Sequence, residues 1–571
     1  MCGIFFCNFQ LNKAQKKFVY SWLKKRGPDG VEEYYVNNKL LIHSRLSIVG
    51  GIGSKQPIIS EKSVLVCNGE IYNYKQLVKE YKLSLKGSSD CEAIQALYDK
   101  KEILDLNLFE GMYAGFLYDF LQDKLICFRD FAGEKPLYYF KKGEDLAIAS
   151  EWSVLAYLFN VKKFNDYAIQ EYYFKQFVSN NSVFDGLEII KPGAIVEFNL
   201  KNSSIKPISF STLDSNSTKI SKSEFFEGFR YNVIESVKNC ITHGDHKPIV
   251  SLSSGLDSNL IASVARYLKL DFDICTLGFN QHSNFDESLI AKRLSHNFYK
   301  KKPFEFFFSE KYTKTNIKDA ILNRCDLIGD GSVFVIDELL KNIAHNKFKV
   351  YVSGIGGDEL FSDYPWAQRF KGLNSFRDMS ILKQIFNRLF SKKTGFKDFW
   401  QTRIYYQHLL RSNLFKPDIY DFSAQSPLKQ VKNELNHYLI GNGLAQTDRL
   451  SLRYGVEARS PLVSKNLRHF LDDYHFEGIE ELIDPKKIIY RGSFSDIMPK
   501  EIFGYRKQGF RAPIEKLSSL MVELYSDEIV NTKNEVITVR QFKHLNDSIK
   551  RIYLNILIVS NETGMSFNDT K

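Results

Sequence analysis

Up to about residue 200 the apolar positions fall in short runs: LLIHSRLSIV (40–49), VLVCNGEIY (64–72), YAGFLYDF (113–120), KLICFRD (124–130), LAIASE (146–151) and AIVEFNL (194–200). Runs of that length, rich in β-branched and aromatic residues and bounded by turn formers, predict strands, and their number predicts packed sheets. A Ser/Thr/Asn-rich stretch, SFSTLDSNSTKISKSE (209–224), reads as a connector. Beyond it the pattern changes. PIVSLSS (248–254), FDICTLGF (272–279) and FKVYVSGI (348–355) are strand candidates separated by long segments of helical period. That alternation predicts a parallel α/β sheet.

With 571 residues the chain is too long for a single core, and 44% hydrophobic residues supply enough apolar material for two or more domains. No run approaches the length of a membrane span, and the first residues lack the features of a secretory signal. Cytoplasm is the expected compartment. Eight cysteines without a CxxC pair fit a reducing environment and argue against structural disulfides and zinc. The formal charge of +11 permits anion binding, but it is spread over a long chain with no nucleic-acid-binding motif. No nucleic-acid partner is expected.

Candidate chemistry begins at Cys2. Removal of Met1 would leave a thiol beside its own α-amine, and an α-amino group titrates at about 7.7–8.0, so one residue would supply both nucleophile and base. A packed cysteine is the plainer reading. Downstream come RGPDG (26–30), HSRLSIVG (43–50), NGEIYNY (68–74) and SSDCEAI (88–94). Opening a glutamine side chain requires an oxyanion hole, an anchor for the α-carboxylate and acceptors for the α-ammonium. Asn68 and the Gly69 N–H can serve the first, Arg45 the second, and Glu70 with Asp90 the third. Taken singly, NGE reads as a turn between strands, Arg45 as a solvated charge and Asp90 as a helix N-cap.

Together these motifs resemble the glutaminase domain of class II glutamine amidotransferases. The resemblance implies Cys2 as nucleophile, Asn68 and Gly69 as oxyanion hole, and Arg45, Glu70 and Asp90 as the glutamine clamp. RDFAGEKPLYY (129–139) and ASE (149–151) resemble the asparagine synthetase branch, where they belong to scaffold and interface.

The second half carries KPIVSLSSGLDSNLIASVARYLKL (247–270): an apolar strand, a Ser/Gly/Asp turn, and a helix with Leu260, Ile261, Val264 and Leu268 at helical spacing. Backbone N–H groups at such a turn favour a phosphate, although a plain turn with Asp257 or Ser258 as helix cap reads equally well from this segment alone. FKVYVSGIGGDELFSDY (348–364) adds a second strand-to-glycine turn followed by Asp358 and Glu359. Asp257 and Asp358 could then share one Mg²⁺ against phosphate oxygens. The pair resembles the PP-loop ATP pyrophosphatase fold of the asparagine synthetase family. The resemblance implies ATP binding by Ser253, Ser254, Gly255, Asp257 and Ser258, with Ser353 and Gly354 from the second turn, and it places Lys487 of PKKIIYRGSF (485–494) on the reacting phosphate. RKQGFRAPI (506–514) and DRLSLRYGVEARSPL (448–462) fit later motifs of that domain.

The whole resemblance implies an α+β N-terminal nucleophile domain (an αββα sandwich, 2–205), a connector (206–224), an α/β parallel-sheet PP-loop synthetase domain (225–520) and a tail of unassigned role (521–571). It implies a carbon–nitrogen ligase using glutamine, ATP and Mg²⁺, with ammonia passed internally to an acyl-adenylate, and it allows a homodimer. Aspartate is the expected acceptor. Three departures stand out: Ser254 where the family has glycine, Ile355 where aspartate-using members carry Glu, and Val463-Ser464 where the pattern runs Leu-Asp. Ile355 keeps open another carboxylate, such as a sugar acid, as acceptor, and a regulatory protein retaining the fold is the non-enzymatic alternative.

Overall fold

The apolar runs of the first 200 residues form two six-stranded sheets in the computed structural model, which describes residues 2–361 and 435–505 with short interruptions at 176, 180, 210–216, 280–285, 309–313, 325–326, 328, 330, 480–481 and 483–484, together with 520–524, 554–556 and 558–560. The strands are β1 (Gly3–Cys7), β2 (Gly30–Val36), β3 (Lys39–Arg45), β4 (Ile58–Ile59), β5 (Ser63–Ile71), β6 (Gly111–Asp119), β7 (Lys124–Arg129), β8 (Tyr138–Lys142), β9 (Asp145–Ala149), β10 (Leu187–Ile189), β11 (Ala194–Asn199) and β12 (Ile205–Ser209). One sheet runs β10-β8-β9-β1-β3-β2 and the other β12-β11-β7-β6-β5-β4. Every pairing in both is antiparallel.

The sheets pack face to face. Ile4, Phe6 and Leu41 of the first meet Val64, Val66, Phe116 and Cys127 of the second. On the outer face of the first sheet, Phe5, Cys7 and Ile42 pack against Val19 and Leu23 of the Lys13–Arg26 helix and against Trp152 and Leu155 of the Trp152–Leu158 helix. The outer face of the second sheet covers Ile94, Leu97 and Tyr98 of the Glu92–Lys101 helix through Leu65 and Cys67. The result is helix, sheet, sheet, helix. Burial on both faces is why β1 reads as an unbroken apolar run rather than an alternating one.

The later strands are β13 (Thr218–Lys219), β14 (Ile249–Ser251), β15 (Asp273–Gly278), β16 (Phe304–Phe307), β17 (Val350–Val352), β18 (Glu457–Arg459) and β19 (Tyr474–His475). β13 and β19 form a short parallel pair. The other five make one parallel sheet in the order β16-β15-β14-β17-β18. The chain moves from β14 outward to β15 and β16, then returns to the other side of β14 as β17. That reversal is a topological switch point, and the crevice beyond the carboxyl ends of strands at such a point is where open α/β sheets bind ligands. The two turns singled out in the sequence follow β14 and β17 and so flank that crevice. The RKQGFRAPI segment lies outside the described residues.

A buried polar seam joins the two units. The Arg26 guanidinium donates to Cys2 O (3.2 Å), Glu151 Oε1 (2.8 Å) and Asp448 Oδ2 (2.9 Å). Lys135 Nζ reaches Asp448 Oδ1 at 3.2 Å. Burial alone would raise the Asp448 carboxyl, but Arg26 and Lys135 hold it below the usual carboxylate range. Because the folded value is depressed, its contribution to stability is full above the unfolded carboxylate range and is lost as pH falls through that range toward the folded value. Asp448→Asn leaves the buried Lys135 without its carboxylate and Arg26 with Glu151 alone, and should cost about 3–5 kcal/mol. Thermal unfolding at neutral pH checks this: the melting temperature should fall sharply, and the variant should lose part of the acid-side slope of the wild-type stability profile.

Candidate functional sites

Cys2 immediately precedes β1, an inner strand of the first sheet, and is 8% exposed. Burial pushes its thiol up, against the opposing pull of the nearby N-terminal amine. Its backbone nitrogen donates to Asn68 Oδ1 at 2.7 Å. Asn68 is fully buried, and its Nδ2 has no hydrogen-bond partner among the described residues. A buried amide donor left unmade is costly, and it is the state expected of a group held ready for a developing oxyanion. The reading of NGE as a turn does not hold. Asn68, Gly69 and Glu70 lie within β5, opposite Ala114, Tyr113 and Met112 of β6. Gly69 has φ +150°, and a Cβ there would sit 2.1 Å from Met112 O, so only glycine keeps this strand end in place.

Arg45 ends β3 and donates through Nη2 to Val49 O at 3.3 Å, and to Gly51 O and Ser54 Oγ. These contacts orient the guanidinium and hold the loop that follows it. Asp90 does not cap the helix after it. Cys91 is the N-cap of that helix, with no side-chain cap, and the Asp90 carboxylate turns instead to the Ile71 N–H at 2.5 Å. The change of partner places Asp90 beside Glu70, both more than nine-tenths buried.

A residue that no motif marks completes this pocket. His243 follows the Lys222–Thr242 helix in the second unit, and its Nε2 lies 2.9 Å from Glu70 Oε2 and 3.2 Å from Asp90 Oδ2. Although burial lowers the imidazole, the hydrogen bonds to Asp90 and Glu70 raise it to about 9. Glu70 is pushed up to about 8 by burial, with Glu457 and Asp90 adding to the push.

At the second crevice the turn after β14 is built by its own side chains. Ser258 Oγ accepts from Ser253 N (3.1 Å), Ser253 Oγ accepts from Gly255 N (3.0 Å), and Asn259 Nδ2 donates to Ser253 O (3.0 Å) and Gly255 O (2.8 Å). Neither Asp257 nor Ser258 caps the Leu256–Tyr267 helix. Gly255 is its N-cap, without a side-chain bond, so the first N–H groups of the helix have no side-chain acceptor from the cap. Ser254 is not among the residues of positive φ, so serine at this position brings no left-handed strain. Its N–H donates to Glu287 Oε2 at 3.2 Å.

The turn after β17 comes close enough to touch the first. A Cβ on Gly357 would lie 2.1 Å from Asp257 Oδ1, and one on Gly354 3.0 Å from Asp257 Cβ. Ser353 is buried with its Oγ unpartnered among the described residues. Asp257 Oδ2 accepts from Lys486 Nζ at 2.7 Å and Asp257 Oδ1 from the Tyr490 hydroxyl at 2.9 Å; the same Lys486 Nζ donates to Asp358 Oδ1.

The lysine at the paired carboxylates is therefore Lys486 rather than Lys487. Helical period separates the two lysines. Lys486, Ile489, Tyr490, Ser493 and Phe494 form the buried stripe of the Pro485–Phe494 helix, and Lys487 is turned about 100° away from Lys486 on a half-buried face. Asp257 and Asp358 share one cationic partner and offer only carboxylate oxygens, a donor set that suits Mg²⁺ and not a softer metal. Ile355 joins an apolar cluster with Ala132, Leu439, Leu444 and Val463, so two of the three departures noted in the sequence pack together.

Two family models match the chain: a glutamine amidotransferase domain over residues 1–208 and asparagine synthase over 228–549. Asparagine synthetase [glutamine-hydrolyzing] 1 of Bacillus subtilis is 24% identical over 541 residues, covering 86% of this chain and 82% of that protein. Asparagine synthetase [glutamine-hydrolyzing] 2 of the same organism is 29% identical over 49% of this chain, and asparagine synthetase B [glutamine-hydrolyzing] of Escherichia coli is 36% identical over 29% of it. The chain spans only 38% and 32% of the lengths of those last two.

Proposed function

The chain belongs to the asparagine synthase family, and from that premise we propose that it is a glutamine-dependent, ATP-driven ligase forming an amide, with asparagine as the leading product. The proposed domains are an N-terminal nucleophile glutaminase of αββα layers whose last strand, β12, ends at Ser209, a connector from there to the Lys222–Thr242 helix, and a PP-loop synthetase domain whose family match runs on to residue 549. No helix among the described residues is long and apolar enough to cross a membrane; the working compartment proposed is the cytoplasm.

The observation that carries this reading is the buried thiol of Cys2 beside an unspent Asn68 amide donor, joined through Arg26 to a unit whose two acidic turns meet at Lys486. With Met1 removed, the Cys2 amine takes the thiol proton and the sulfur attacks the glutamine side-chain carbonyl. Asn68 Nδ2 and the Gly69 N–H hold the oxyanion. Collapse expels ammonia and leaves a γ-glutamyl thioester, which water opens to glutamate. Arg45 anchors the α-carboxylate, and Glu70 with Asp90 accept from the α-ammonium.

In the second unit the turn at Ser253, Ser254, Gly255 and Ser258, together with Ser353 and Gly354, cradles the pyrophosphate of ATP. The acceptor carboxylate attacks the α-phosphorus, pyrophosphate leaves, and ammonia displaces AMP from the acyl-adenylate. Asp257 and Asp358 would hold Mg²⁺, which when bound would neutralise charge developing on the phosphate oxygens. Lys486 already offers a positive charge at the same carboxylates. The buried seam of Arg26, Lys135, Asp448 and Glu151 lies between the units, and ammonia crossing there would be sheltered from the bulk water that protonates it.

A second reading rests on Ile355. An isoleucine packed with Val463 and Leu444 can neither accept a proton nor pair with an acceptor's ammonium, which favours a carboxylate other than aspartate. AMP release in the presence of glutamine, screened across carboxylates, separates the two. Aspartate-dependent AMP and asparagine are expected. AMP that appears only with another acid establishes the second reading.

A further inference from the structure

The segment Thr242–His246 leaves the second unit and closes over the glutamine pocket of the first. Arg459 Nη1 pins its start by donating to Cys240 O (2.7 Å) and His243 O (2.8 Å). Gly244, at φ +90°, passes so close to the first unit that a Cβ would lie 2.9 Å from Ile48 O. Asp245 N donates to Ile48 O (2.9 Å), Gly50 N donates to Asp245 Oδ2 (2.9 Å), and His246 Nε2 meets Ser47 O at 3.0 Å. These contacts grip the loop that follows Arg45. Between them the His243 ring enters the pocket, with Tyr72 and Tyr74 edge-on at 5.1 and 6.0 Å.

From this geometry we infer that His243 is a displaceable plug in the α-ammonium subsite: its Nε2–H occupies the place between Glu70 and Asp90 that the ammonium of an incoming glutamine must take. The inference rests on the glutaminase reading above and deepens it. A nitrogen bonded to both Glu70 Oε2 and Asp90 Oδ2 has little room to sit elsewhere, because Asp90 Oδ2 is already bonded by the Ile71 N–H on another side. The held-up imidazole fits the role, since a cation is the group two buried carboxylates accept most readily. Glutamine therefore binds only as the His243 segment yields. That segment runs directly into β14 and the Ser253–Ser258 turn, so the gate on nitrogen release is built into the chain that carries the nucleotide site.

The test is steady-state glutamate release by the full chain at varied glutamine, without ATP. Removing the plug spares glutamine the breaking of a buried charge-assisted pair, so His243→Ala should lower the KM for glutamine about tenfold. His243→Gln keeps an N–H donor without the charge and should lower it about threefold. A falling KM is the opposite of what damage to a pocket wall produces. Ammonia-dependent AMP formation, measured alongside, identifies a misfolded variant, and either substitution alone decides the direction. A KM that rises or does not change while the wild type hydrolyses glutamine overturns the plug alone. A wild-type chain that releases no glutamate at any glutamine concentration overturns the glutaminase reading and the plug with it.

Discussion

Replacing Cys2 by alanine is expected to abolish glutamine-dependent amide formation while leaving synthesis from ammonium salts in place. The sulfur is the group proposed to form the acyl intermediate, and removal of a covalent nucleophile costs on the order of 10⁴-fold or more. Its neighbour should grade the effect. Asn68 spends Oδ1 on the Cys2 nitrogen and leaves Nδ2 without a partner among the described residues, so Asn68→Ala should cost about 10²–10³-fold in kcat for glutamate release. Neither residue touches Asp257 or Lys486, so ammonia-dependent AMP formation should change by less than about twofold in Cys2→Ala. Equal loss with both nitrogen sources would mean that the thiol does not act at a separate site.

The contrast between these two predictions and the plug shows which parts of the site could be read from the chain. Cys2, Asn68, Gly69, Glu70 and Asp90 can be singled out in the sequence because the residues leading into β1, the end of β5 and the residues leading into the Glu92–Lys101 helix each carry them in a short contiguous motif. Their partners are less evident there. NGE has the composition of a turn, but β6 supplies a pairing partner across its whole length, and tertiary pairing overrides the local preference. Asp90 has the composition of a cap, but the Ile71 N–H competes for it successfully. His243 was not legible at all, because its partners lie 173 and 153 residues away and nothing local marks it.

The two-halves reading was legible from the change of period at the connector, and the parallel order from the alternation of strand and helix. Lys486 was within reach of the sequence. Ile489, Tyr490 and Phe494 define an apolar stripe, and Lys486 lies on it at the three- and four-residue spacings. The resemblance implies Lys487 at the reacting phosphate, and a shift of one residue on a helix turns a side chain by about 100°.

That shift sets the other large effect. Asp257→Asn should remove ATP-dependent AMP formation with glutamine and with ammonia alike, by at least about a hundredfold, while glutamate release by Cys2 continues. The carboxylate is shared by Lys486 and Tyr490, and the glycines at 354 and 357 exist to let the second turn reach it, so neutralising it dismantles the junction of both turns. Lys486→Ala leaves Asp257 and Asp358 facing each other without their common cation and should fall in the same class. Lys487→Ala should change AMP formation by less than about twofold, as expected for a lysine outside the buried stripe. Pyrophosphate release measured on the three variants separates the alternatives: activity lost in Lys487→Ala and kept in Lys486→Ala would return the phosphate-facing role to Lys487 and leave the Lys486 contacts as packing.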